Sequence, residues 1–181
     1  MKLSSTLMLK LNRGNRSVFY CLGLILLLGF GQQLFADEKT DIKQFINQIF
    51  QNETPKPNRY WANKETQQLI KQQFNPSQVK LSYRYWQKDQ TTVWILDEIG
   101  KERDITTGIV ITDNKIDKVQ VLVYRESRGG QVQNNRFTQQ YNNKTIDNNF
   151  VKEIDSISGA TLSVNALNKQ VQLALWLNQN K

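Results

Sequence analysis

Hydrophobic and polar positions along the chain change period several times, and each change predicts an element. Ile42, Phe45, Ile46, Ile49 and Phe50 recur at helical spacing, which predicts a helix from about 38 to 51 with one core-facing stripe. Pro55 and Pro57 make 52–60 a loop. Asn63 suits the N-cap of a second helix over 64–74, which Asn75-Pro76 ends. Both helices are expected on one face of a sheet, with Tyr60 and Trp61 as packing residues. From Val79 the period falls to two. Val79, Leu81, Tyr83 and Tyr85 alternate with polar residues, which predicts a half-buried strand. Further strands are expected over 91–96, 105–112 and 116–124, rich in β-branched and aromatic residues. Strict alternation places Val119, Val121 and Val123 on one side of the last strand, with Lys118, Gln120 and Leu122 on the other. Asp113-Asn114 suits a tight hairpin, because both residues tolerate positive φ. Gly129-Gly130 marks a loop after the sheet, and Phe137 and Tyr141 sit at i and i+4 of a short helix over 134–141. The helical period returns at the end of the chain, with Val164, Leu167, Val171, Ala174, Leu175 and Leu177. The fold class is therefore α+β: an antiparallel sheet of about four strands with packed helices, closed by a C-terminal helix.

The first 36 residues read as targeting. Lys2, Lys10, Arg13 and Arg16 precede an uncharged stretch from Ser17 to Ala36 with an apolar centre from Val18 to Phe30. That order is the one found in secretory signals, and a retained N-terminal membrane anchor is the rival reading. Both place the remainder of the chain outside the cytoplasm, in the periplasm or on the outer face of the cytoplasmic membrane. The division expected is 1–36 signal peptide or anchor, 37–92 helical lead-in and first strand, and 93–181 the functional domain.

Composition prunes the chemistry. The net charge of +8 falls to +4 once the targeting segment is set aside, leaving 20 basic residues against 16 acidic. Nucleic-acid binding loses its main support. The chain has no histidine, so it holds no histidine base, Ser-His-Asp triad or histidine-linked flavin. Its one cysteine, Cys21, lies in the apolar stretch, which leaves no thiol for a disulfide or cluster beyond it. No set of metal ligands stands out.

The segment Asp155-Ser156-Ile157-Ser158-Gly159-Ala160-Thr161-Leu162-Ser163 carries the candidate chemistry. It crowds hydroxyls into a small-residue turn just before the last helix. Ser158 and Gly159 suit the N-cap, so Thr161 is expected at or before the first turn. There the backbone N–H groups and the macrodipole favour an anion. On the residues alone, a helix cap with no ligand is the plainer reading.

This motif resembles the flavinylation motif of the FMN-binding domain family, which includes flavin-carrying subunits of Na+-translocating NADH:quinone reductase and of Rnf-type complexes. The resemblance extends through Leu96–Lys101, the strand pair at 106–124, Tyr124–Gly130 and Phe137–Tyr141, and so covers about 93–178. Val164 departs from it, where many members have Ser or Thr. The resemblance implies that Thr161 carries FMN through a phosphoester bond. Ser158, Gly159, Ala160, Ser163 and Asp155 would then complete the cofactor-binding motif, with Glu126 and Ser127 shaping the pocket. A threonine hydroxyl is a weak nucleophile and no carboxylate dyad stands beside it, so self-attachment is disfavoured. An exported Mg-dependent FAD:protein FMN transferase is implied as partner, with Asp155 either helping to bind its metal or capping a turn. The expected role is electron transfer at the cell envelope with a membrane redox partner, in preference to stand-alone enzyme activity. The alternatives are a reductase with its own substrate pocket, a subunit of a membrane redox pump, and a cofactor-free envelope binding module.

Overall fold

Five antiparallel strands follow one another in chain order across a single sheet. They are β1 (Asn58–Trp61), β2 (Ser82–Lys88), β3 (Thr91–Ile99), β4 (Asp104–Thr112) and β5 (Lys115–Tyr124). The structure is a computed structural model, and it describes residues 38–147 and 149–181. The chain divides into two compact units, 1–39 and 40–181, and the second holds the whole sheet. The signal or anchor expected over 1–36 lies outside the described residues. Among the described residues no helix is long and apolar enough to cross a membrane.

The sheet has one strand more than the alternation predicts. β1 lies in the segment expected to be a loop, because prolines and polar residues hide a four-residue strand that is mostly exposed. It pairs with β2 from Asn58↔Tyr85 to Trp61↔Ser82. Prolines just before an edge strand are a common way to end pairing there. The hairpin between β4 and β5 matches the sequence closely. Asp113 and Asn114 have φ of 50° and 61°, the two positive values of a type I′ turn.

β5 does not alternate strictly. Its register to β4 slips between Val110 and Ile111 and again between Thr106 and Thr107, leaving Asp117 and Leu122 without a ladder partner. Each bulge reverses the parity of the residues beyond it. Ile116, Val119, Val121 and Tyr124 all reach the larger core, whereas Leu122 reaches the smaller one on the opposite face. Val123 pairs with Thr106 and so leaves the face that alternation had assigned to it beside Val119 and Val121.

Among the described residues four helices accompany the sheet. The chain is helical over 38–49 (α1), then over Lys64–Phe74 (α2), Asn135–Thr138 (α3) and Thr161–Asn180 (α4). Asn63 caps α2 by accepting from Thr66 N at 2.8 Å, and Asn75 closes it in the left-handed region at φ 42°. The first two helices do not share a face, contrary to the expectation from sequence. α2 packs with α4 in the larger core, where Ile70 and Phe74 meet Leu167, Val171, Leu175, Trp94 and Ile109. α1 covers the other face through Phe45, Ile46 and Phe50 against Trp86, Val93 and Val110. Helical spacing marks an apolar stripe but not the sheet face that receives it. Tyr60 meets Trp176 edge-on, as a packing residue should, whereas Trp61 is 70% exposed.

The buried polar groups of α4 tie it to the sheet and to the 139–141 turn. Gln170 Nε2 donates to Ile105 O at 2.7 Å. Thr92 Oγ1 donates to Asn178 Oδ1 at 2.7 Å, and Tyr141 Oη to Asn168 Oδ1 at 2.7 Å. Burial pushes the Tyr141 hydroxyl pKa well up, so it stays a donor at all ordinary pH. These bonds fix how far α4 slides along the sheet, and hence where its N-terminal end emerges.

Candidate functional site

That end opens on a cleft of about 520 Å³. Three segments line it: Lys101 and Glu102 from the β3–β4 turn, Glu126–Arg128 from the loop after β5, and Gly159–Ser163 at the start of α4. The volume is within the usual range for small-ligand sites, roughly 300–1,000 Å³.

The N-cap of α4 is Ala160, with no side-chain capping bond, and not Ser158 or Gly159. Those two are used up in a turn. Ala160 N donates to Ile157 O at 2.9 Å, and Gly159 at φ 77° holds the third position, as a type II turn demands. A Cβ added at Gly159 would meet nothing within 4 Å, so glycine serves the backbone here and leaves the approach to Thr161 open. Thr161 is the first residue of the helix and is exposed. The first-turn N–H groups beside it are not claimed by a side-chain cap, which suits them to an anion.

Ser163 is 4% exposed and faces inward. Tyr124 Oη donates to Arg128 O at 2.5 Å and lies 3.0 Å from Ser163 Oγ. The tyrosine has one proton, so the serine hydroxyl must be the donor in the second bond. Gly129 completes this clamp at φ 84°. A Cβ there would fall 2.8 Å from Ser163 Oγ and 2.9 Å from Tyr124 Oη. Gly129→Ala therefore combines backbone strain with a clash. It is expected to lower stability by about 1–3 kcal/mol in a denaturant titration, and to push the 125–130 loop off α4.

Glu126 holds the opposite wall. Its Oε1 accepts from the backbone N–H groups of Lys101, Glu102 and Arg103 at 2.5, 2.7 and 3.0 Å. Burial pushes this carboxyl up, but the three N–H groups, aided by the Lys101 charge, outweigh it and hold the pKa below the usual range. Gly100 is fitted to the arrangement, because a Cβ there would lie 2.8 Å from the same oxygen. A lowered pKa adds stability above the unfolded value and loses it as pH falls through the folded one. Glu126→Gln is expected to lower the amide-exchange protection factors at 101–103 at neutral pH, and acidification of the wild type to lower them too once the intrinsic pH dependence of exchange is divided out. Unchanged exchange in the variant would mean that the turn stands without the carboxylate.

Of the residues singled out from sequence, the cleft gathers Thr161, Gly159, Ala160, Ser163, Glu126 and Ser127. Ser158 and Asp155 do not line it. Asp155 borders a separate, more open hollow of about 560 Å³ beside Arg136, Gln140 and Ser156, and its backbone N–H donates to Gln140 Oε1 at 2.9 Å. Sequence reading did not single out Lys101, Arg128, Leu162 or Tyr124 as site residues. Arg128 adds positive charge to the lining, Lys101 does so while paired with Glu102 at 3.5 Å, and Leu162, 51% exposed, adds an apolar surface beside Thr161. The donor set fits a phosphate-bearing aromatic ligand: an exposed hydroxyl, uncapped N–H groups, two cations, small residues leaving space, and one apolar side chain.

The family model of the FMN-binding domain matches residues 100–176. No curated protein matches the chain. The matched segment contains all three walls of the cleft, together with β4, β5 and most of α4. Residues 100–176 are thus similar to the FMN-binding domain family, and the cleft lies wholly within the matched segment.

Proposed function

We propose that this protein carries FMN covalently on the Thr161 oxygen and works outside the cytoplasm as an electron carrier. The observation that carries the reading is the position of Thr161: exposed, first in α4, on the wall of the cleft, with no side chain capping the helix end. The bound flavin supplies one- and two-electron redox chemistry. The chain's own residues hold and orient it. Lys101 and Arg128 balance negative charge, the first-turn N–H groups receive the phosphate, and Leu162 offers apolar contact. The lining holds no histidine, its Glu126 is occupied by the β3–β4 turn, and its Glu102 is paired with Lys101 at 3.5 Å. Attachment therefore falls to a partner, an FAD:protein FMN transferase. In that step the Thr161 O–P bond forms, the pyrophosphate bond of FAD breaks, AMP leaves, and the hydroxyl proton passes to the transferase or solvent. A membrane redox protein is the proposed partner in electron transfer. With no histidine to serve as a proton donor to a bound substrate, the chain suits a carrier better than a reductase.

The test is co-expression with an exported transferase, followed by intact mass and peptide mapping. The expected product gains one FMN on the peptide holding Thr161. A colourless product of unmodified mass would overturn the reading.

A further inference from the structure

One region of the sheet is covered by neither α1 nor α4. Tyr60 and Tyr83 are register partners, and both point into the core shared with α4. Arg59, Trp61 and Arg84, at alternate positions, therefore point to the α1 side, where Trp86 already packs. α1 does not reach them. Trp61 is 70% exposed. Arg59 and Arg84 stand directly opposite each other across β1 and β2. Like charges at such a pair cost stability. Among the described residues neither has a carboxylate partner. Arg59 Nη1 donates to Ser82 Oγ at 3.3 Å, and Arg84 lies over the Trp86 ring at 5.1 Å. Lys64 is exposed close by in sequence, and Glu65 sits in the first turn of α2, where it serves the helix end.

We propose that this face rests on an anionic lipid bilayer. An exposed tryptophan flanked by arginines without carboxylate partners matches a membrane interface, where aromatic rings lie at headgroup depth and basic side chains meet anionic lipid. Two further observations select lipid over an acidic protein partner. First, the face is remote from the cleft. It backs, through the sheet, onto Tyr60, which meets Trp176 on the α4 side, fifteen residues along α4 from Thr161, or about 22 Å of helix. A redox protein seated here would be far from the cleft, whereas a bilayer here leaves the cleft open. Second, the chain enters the unit through α1, which packs on this same side of the sheet, and the uncharged stretch 17–36 ends just before α1. The exposure and charge of the face do not depend on the flavin, whereas the choice against a redox protein rests on the electron-carrier reading.

The test uses the full chain, expressed without a transferase and reconstituted into vesicles with brominated acyl chains. Trp86 and Trp94 are buried and Trp176 is half-buried on the α4 side, so the difference between wild type and the Trp61→Phe variant isolates the share of Trp61. In vesicles containing phosphatidylglycerol the wild type is expected to be quenched more than Trp61→Phe. The difference is expected to vanish in pure phosphatidylcholine, in high salt, and in the Arg59→Gln/Arg84→Gln variant. That variant removes a repulsion and should fold at least as well. Equal quenching of wild type and Trp61→Phe in anionic vesicles, or equal excess quenching in neutral ones, would overturn the proposal. The first outcome would return the face to a protein partner. Intact mass from a separate transferase co-expression reports the flavin reading independently.

Discussion

Thr161→Ala, co-expressed with the transferase, is expected to carry no flavin through denaturation and to show the unmodified mass. The effect should be complete, because the substitution removes the only atom of the side chain able to form the ester. The fold should survive almost unchanged. Thr161 is exposed, and the α4 end has no side-chain cap to lose. Alanine is also the better helix former. A stability change within about 0.5 kcal/mol is expected, as for surface positions generally. Thr161→Ser keeps an oxygen and should still accept FMN. Ser163 lies only two positions away, but its hydroxyl is buried and committed to Tyr124, so it should not substitute. If the alanine variant remains coloured after denaturation, the tether is elsewhere and the role assigned to Thr161 is wrong.

The largest effect on stability is expected where α1 meets the sheet. Phe45 lies flat against Gly108 of β4, so closely that a Cβ at 108 would fall 2.4 Å from Phe45 Cε1 and 2.8 Å from its Cζ. The Lys118 ammonium lies 5.7 Å from the centre of the same ring. Phe45→Ala empties this seat and is expected to cost about 3–5 kcal/mol in urea titration. Gly108→Ala fills it from the other side and should cost about 1–3 kcal/mol. Against a total of roughly 5–15 kcal/mol for an ordinary domain, the first is severe. Combining the smaller ring-site residue with the added methyl, as in Phe45→Leu/Gly108→Ala, should be milder than the sum of the two single changes, because each makes room for the other. Strict additivity would show that the ring is not held by the glycine. Measuring these variants on a Thr161→Ala background keeps flavin loading from contributing.

Much of this architecture was legible in the residues. Asn63, Asn75 and Asp113-Asn114 each declare a local backbone need, and the structure uses all of them as caps or turn residues. Alternation located four strands because their apolar faces are buried. It missed β1, whose residues are mostly exposed and whose flanking prolines speak for a loop. It also misassigned Val123, since a count of two cannot reveal an unpaired residue in the ladder. Ser158 and Gly159 are good capping residues by type, yet turn geometry claimed them first. The motif pointed to Thr161 and its neighbours because side chains there are chemically distinctive. The tie from Glu126 to 101–103 could not be read the same way. Its partners are backbone N–H groups more than twenty residues away, and every residue but proline carries one.

The unpaired Leu122 has a consequence for the cleft. By inserting one residue into the ladder it turns Tyr124 toward α4, where the phenol gathers Arg128 and Ser163. Were Leu122 held in the ladder, pairing with Thr106, strict alternation would set Tyr124 opposite in parity to Val121 and aim that phenol at the other side of the sheet. The hollow thus owes its closure to a residue left out of the pairing, and a register in which that residue paired would have to secure the end of the last helix by other means.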